Sequence, residues 1–132
     1  MIPATTWRLG YVRDVDGDTI RAVLQRHVPL APGYVDTITS GHVDEHGEMV
    51  PDTVSLRLII LDTPERGQAG YADAKAQVAT WLHEHADRLM ADTYESGGWD
   101  RLLADCYPIG QRGDTLTQHM LRAGWDIYRP RP

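Results

Sequence analysis

The stretch VSLRLIIL followed by DTPE, residues 54–65, decides the fold of this chain. Its apolar side chains fall on both parities of a strand, so a strand here has two covered faces and lies centrally in a sheet. Pro64 has no N–H to give to a ladder, so pairing ends at Asp62-Thr63-Pro64-Glu65. Toward the N-terminus, residues 7–12 read as a first strand and Asp16-Gly17-Asp18 as a turn. Residues 19–24 follow as a strand, with Ile20, Ala22 and Leu24 on one face. Toward the C-terminus, residues 71–89 read as a helix: Tyr71, Ala74, Val78, Leu82 and Leu89 recur at helical spacings. Residues 88–93 and 99–107 form partner strands about a turn at Glu95-Ser96-Gly97-Gly98. Asp114 is the expected N-cap of a short helix over residues 115–123, and Gly124 its stop. Strands in a meander, with one helix before the last hairpin, predict a mainly β fold in which a small barrel carries helices.

Residues 25–53 are the exception. They separate two strands with a long connection rich in Pro and Gly, and connections of this length are functional or internally structured. Residues 43–50 are expected to form a hairpin around His46-Gly47. The segment carries Arg26 against Asp36, Asp44, Glu45, Glu48 and Asp52, a balance of −4 within a chain total of −6. At that charge the segment repels polyanions, and it is expected to serve mainly as an added hairpin for partner binding or self-association, with substrate gating as the lesser alternative. The whole chain, 132 residues long, is expected to be a single domain with this segment inserted.

An acidic balance argues against broad electrostatic capture of nucleic acid, which needs many Lys or Arg contacts. Lys75 is the only lysine, so phosphate would be handled by placed guanidinium groups. No apolar run is long enough to cross a bilayer, so no membrane partner is expected. Met1-Ile2-Pro3-Ala4 lacks a basic region followed by an apolar stretch, the pattern of a leader. Cys106, the only cysteine, has no intrachain partner and lies in an apolar run, which predicts a buried, unreactive thiol. Together these features favour a cytoplasmic setting.

The chemistry-bearing residues cluster at strand ends. Asp16 and Asp18 flank Gly17 at one strand mouth and Asp62 follows another strand, so Asp18 and Asp62 are candidates for one hard cation. Calcium takes six to eight oxygens from carboxylates, carbonyls and waters. Taken alone, a DGD turn is more readily a type I or hairpin turn than a metal site. Arg57 interrupts the apolar run and Arg101 interrupts WDRLLADCY; a lone Arg on a central strand is costly unless paired. Either each snorkels to an edge or pairs with a structural Asp, or the two fork onto phosphate oxygens. Glu65 is either a solvated loop carboxylate or a base beside the metal. His42 and His46 have a metal-like spacing but no second ligand pair, so a zinc site is not expected. No GxSxG turn and no phosphate-cradling glycine loop is present.

The ordered set VDGDT (residues 15–19), RLIILDTPE (57–65) and an arginine in a strand after a helix (Arg101) resembles the staphylococcal nuclease family over roughly residues 7–128. The resemblance implies an OB-fold five-stranded barrel with packed helices and a calcium-dependent endo- and exonuclease acting on DNA and RNA. It implies that Asp18, Asp62 and the carbonyl of Thr63 bind Ca2+, with Asp16 close behind them. It implies that Glu65 orients or activates the attacking water and that Arg57 and Arg101 hold the phosphate. The chain departs from the family in its long 25–53 connection, a shortened loop after Glu65 and its acidic balance. It also has Trp99 where a Tyr is common, and few residues after the helix near Leu121, where the family has a further helix. The rival expectations are a nuclease-like barrel without activity that binds nucleic acid or protein, and a hydrolase of small phosphodiesters.

Overall fold

A computed structural model describes residues 5–94 and 102–127 of the chain. Among these residues, ten strands and two helices follow in order. They are β1 (Thr5–Asp16), β2 (Thr19–Ala31), β3 (Tyr34–Thr39), β4 (Gly41–Val43), β5 (Met49–Pro51), β6 (Val54–Leu58), β7 (Leu61–Asp62), α1 (Tyr71–Glu84), β8 (Leu89–Tyr94), β9 (Leu102–Pro108), α2 (Leu116–Arg122) and β10 (Asp126–Ile127). The main sheet runs β1-β8-β9-β6-β2-β3, and a further β1–β2 pairing closes five of its strands into a barrel. All neighbours are antiparallel except β6 and β9, which run parallel with Arg57 in register with Leu103. A closed, mainly β barrel with this order is OB-like.

One strand serves two neighbours by bending. β1 pairs with β8 through Thr5 to Arg8 and with β2 from Arg8 to Asp16, and its register shifts between Gly10 and Arg13. Tyr11 sits in that shift with φ of 50°, a conformation uncommon for residues other than glycine.

Alternate residues of the strands point inward. Leu9, Ile20, Leu24, Leu56, Leu58 and Cys106 are buried in one cluster with Val78, Trp81 and Leu82 of α1 and with Leu116 and Met120 of α2. The expected central position of VSLRLIIL holds, because β6 lies between β2 and β9. The strand does not run unbroken to Leu61, however. It turns at Ile59 and Ile60, with Ile60 exposed at φ 53°, and resumes as β7, which pairs with β10 rather than with the barrel. A β-branched residue at positive φ is strained, and the strain re-aims the chain next to Asp62.

Two element ends differ from expectation. The helix expected over residues 71–89 stops at Glu84, because Leu89 is taken into β8 opposite Pro108. The second helix is capped by Thr115 rather than Asp114. The Thr115 hydroxyl accepts from the Gln118 N–H while the Gln118 side chain accepts from the Thr115 N–H, and Asp114 instead pairs with Arg122 at 3.3 Å. Gly124 follows the helix in the left-handed region, as expected of its stop.

The 25–53 segment is strand rather than open loop. β2 continues past Leu24 to Ala31 and turns back as β3, so a two-stranded arm leaves the barrel. Ser40 then bends the chain out of the sheet. Its N–H donates to the Leu24 carbonyl, its hydroxyl accepts from the Leu24 N–H, and the Asp52 N–H donates to its carbonyl. β4 and β5 form the expected hairpin around His46-Gly47, with Asp44 Oδ1 accepting the His46 and Glu48 N–H groups across the turn. A side chain at Gly41 would run into the Val50 carbonyl, so the bend requires glycine. The segment leaves the barrel at the end opposite Asp18, since Thr19 is level with Arg57 and Ala22 with Val54.

Candidate active site

Three separate stretches of sequence meet at the mouth of β2. The β1–β2 turn supplies Asp16 and Asp18, β6 supplies Arg57, and the segment after β6 supplies Asp62, Thr63, Pro64, Glu65 and Arg66. Together they line a polar cleft of about 490 Å3.

Gly17 permits the approach. A Cβ at Gly17 would stand 2.6 Å from Thr63 Oγ1 and 2.7 Å from the Ala74 Cβ, distances that real side chains do not tolerate. The DGD turn is therefore pressed between the Thr63 segment and the first turns of α1. With the turn held there, Asp18 is buried, and its backbone carbonyl accepts the Leu58 N–H at 2.8 Å.

The Asp18 carboxylate is the hub of the cleft. Its Oδ1 meets Arg57 Nη1 at 3.2 Å and the Thr19 hydroxyl at 3.2 Å. Its Oδ2 accepts the Thr63 N–H at 3.3 Å. Arg57 also donates from Nη2 to the Leu61 carbonyl at 3.4 Å, which spans the strained Ile59–Ile60 turn. The guanidinium thus lies in the cleft and pairs with a carboxylate there, which offsets the cost of placing it on a central strand. Asp16 accepts the Asp18 N–H at 3.3 Å. Burial raises the Asp16 pKa, and a hydrogen bond and charge repulsion from the Asp18 carboxyl raise it further, against the Asp18 N–H and the Thr19 hydroxyl.

Glu65 opens the loop that leads to α1. Its N–H donates to Gln68 Oε1 at 2.7 Å, and its carbonyl accepts the Gln68 N–H at 2.9 Å, so the loop is pinned while the Glu65 side chain stays exposed at the cleft. Arg66, beside it, also lines the cleft and was not singled out in the sequence. Its only signal is adjacency: a second cation directly after the DTPE motif.

The donor set fits a hard cation in kind. Asp16 and Asp18 repel one another where a cation would relieve them, and Thr63 Oγ1 is buried with no hydrogen-bond partner. Among the described residues no three His, Cys, Asp or Glu side chains stand close enough to enclose an ion by themselves. Asp62 lines the same cleft. Calcium tolerates flexible shells completed by carbonyls and water.

Of the candidates read in the sequence, Asp16, Asp18, Arg57, Asp62, Thr63 and Glu65 are brought together. Arg101 lies outside the described residues, just before Leu102 where β9 begins. The two histidines with metal-like spacing do not converge. His42 Nδ1 meets Asp52 at 2.6 Å, and His46 meets Glu45 at 3.4 Å. Cys106 is fully buried, and burial pushes its thiol pKa well up, as expected of an unreactive thiol. No described helix is long and apolar enough to cross a membrane. Compared with known proteins, the chain matches no family model and no curated protein.

Proposed function

We propose that this chain is a calcium-dependent nuclease with a staphylococcal-nuclease-like barrel, cleaving phosphodiester bonds in DNA, RNA or both. One observation carries the reading. Asp18, Arg57, Asp62 and Glu65, separated in sequence and named by one ordered motif set, line a single polar cleft with Arg57 bonded to Asp18.

Asp18 and Asp62 are the assigned Ca2+ ligands with Thr63, and Asp16 acts behind them. When bound, the ion supplies Lewis-acid polarisation of the phosphate and lowers the pKa of a coordinated water. Glu65 takes the proton of the attacking water or orients it, from a loop that Gln68 holds. Arg57 binds a phosphate oxygen and, with Arg101, stabilises the negative charge added as the water attacks. Both arginines are fork-shaped donors matched to the phosphate. The chain's acidic balance leaves capture of substrate to these placed groups.

Plasmid DNA on a gel beside a chromogenic phosphodiester, both with calcium, separates this reading from its rivals. A nuclease cuts both substrates. Cleavage of the diester alone indicates a small-substrate hydrolase, and cleavage of neither indicates a binding module.

A further inference from the structure

We propose that the outer edge of β3 takes an extended, arginine- or lysine-bearing strand of a protein partner. The first ground is the edge itself. β3 ends the main sheet, and among the described residues no strand pairs with its outer side. Natural edges are protected by Lys, Pro, bulges or short length. β3, with sequence YVDTIT, has one charge and no Pro, and four of its six residues are β-branched. Its backbone donors and acceptors form a template for another strand.

The second ground is packing. No described side chain between residues 25 and 53 is buried, and a two-stranded ribbon without a core is marginal in water. Tyr34 is 71% exposed and Val35 65% exposed. Ile38 overhangs an apolar cleft of about 430 Å3 that Trp7, Leu24, Val54 and Leu102 also line. A partner strand would cover this apolar surface with alternate side chains.

The third ground is charge, and it selects the occupant. The segment carries −4, contributed largely by Asp44, Glu45, Glu48 and Asp52 beside the β3 edge in sequence. That balance repels a nucleic acid and also a second copy of the same segment. It attracts a strand with guanidinium or ammonium groups on its polar face.

Fluorescence anisotropy on the full chain tests this with a labelled peptide alternating arginine and valine. Controls carry glutamine or glutamate in place of arginine, and a fourth peptide is N-methylated at every residue. The arginine peptide is expected to bind, the glutamine peptide about tenfold more weakly, and the glutamate and N-methylated peptides not at all. Saturating calcium is expected to leave binding unchanged, and the Glu45→Gln/Glu48→Gln double variant to weaken it several-fold. Equal binding of the glutamine or N-methylated peptide overturns the proposal, as does displacement by calcium, which would place the peptide in the carboxylate cleft. A stable dimer by light scattering, with which the peptide competes, gives the edge to a second copy and equally overturns it.

Discussion

The barrel and the 25–53 segment are both β structure, yet they differ in what their side chains face. Barrel strands alternate toward a shared core in which Ile20, Leu56 and Leu58 are essentially inaccessible. β3, β4 and β5 form the same backbone ladders and bury no described side chain. The contrast separates hydrogen bonding from stability. Ladder bonds exchange for water at small net gain, whereas apolar burial contributes about 25 cal/mol per Å2. It also separates two kinds of site. The carboxylate cleft sits where β1, β2 and β6 are fixed by the core, which suits chemistry that needs held geometry. The insertion leaves the opposite end, with an acidic surface and an open edge suited to recognition.

The comparison breaks first, and most strongly, at the cleft. Glu65→Gln and Arg101→Ala are each expected to lower turnover on a diester by about 100- to 10,000-fold, with circular dichroism unchanged. Near wild-type turnover in either variant removes that residue from the chemistry. Matched truncations sharpen the structural half. Leu56→Ala is expected to cost about 2–5 kcal/mol in urea unfolding. Val35→Ala, on the exposed arm, is expected to stay within about 0.5 kcal/mol. Equal losses would mean that the arm is part of the cooperative core.

Gly17→Ala probes the junction of core and cleft. The added methyl meets Thr63 and Ala74, so a loss of about 1–3 kcal/mol is expected, together with weaker calcium binding by titration calorimetry. Unchanged stability would show that the turn is not pressed against α1. The smallest effect concerns Asp105 on β9, which accepts the Thr117 N–H at 3.3 Å at the start of α2. Burial raises its pKa above the ordinary 3.8, against the hydrogen bonds from the α2 end. Below 3.8 the carboxyl is protonated in both folded and unfolded chains; above it the unfolded chain releases the proton first. Stability from this group is therefore lost as pH rises from 3.8 through the raised folded value. Asp105→Asn is expected to melt a few degrees higher than the wild type at neutral pH, with the difference shrinking as pH falls through that window. A difference independent of pH would assign the effect to hydrogen bonding instead.

The barrel was legible in the sequence because its signals are local. Apolar residues on both parities of VSLRLIIL place β6 between two strands, and Ile20, Ala22 and Leu24 alternate as a covered face demands. The break at Ile59–Ile60 was not legible, since the chain beyond it pairs with β10, about half the chain length away. The helix end is not legible, because Leu89 fits a helical stripe as well as a strand position, and pairing with Pro108 decides between them. The arm is illegible for a different reason: strands that bury no described side chain carry no alternation to read. In the site, the motif residues and the need for a glycine turn are legible, but what Gly17 approaches is not, because Thr63 and Ala74 are distant in sequence. Arg66 gave no pattern at all.

Digestion of single-stranded DNA, with calcium and then with excess chelator, tests the central claim most directly. The account predicts degradation in calcium, little in magnesium, which keeps its waters and demands strict octahedral geometry, and none in chelator. Full activity in chelator, or intact DNA in calcium, would contradict it.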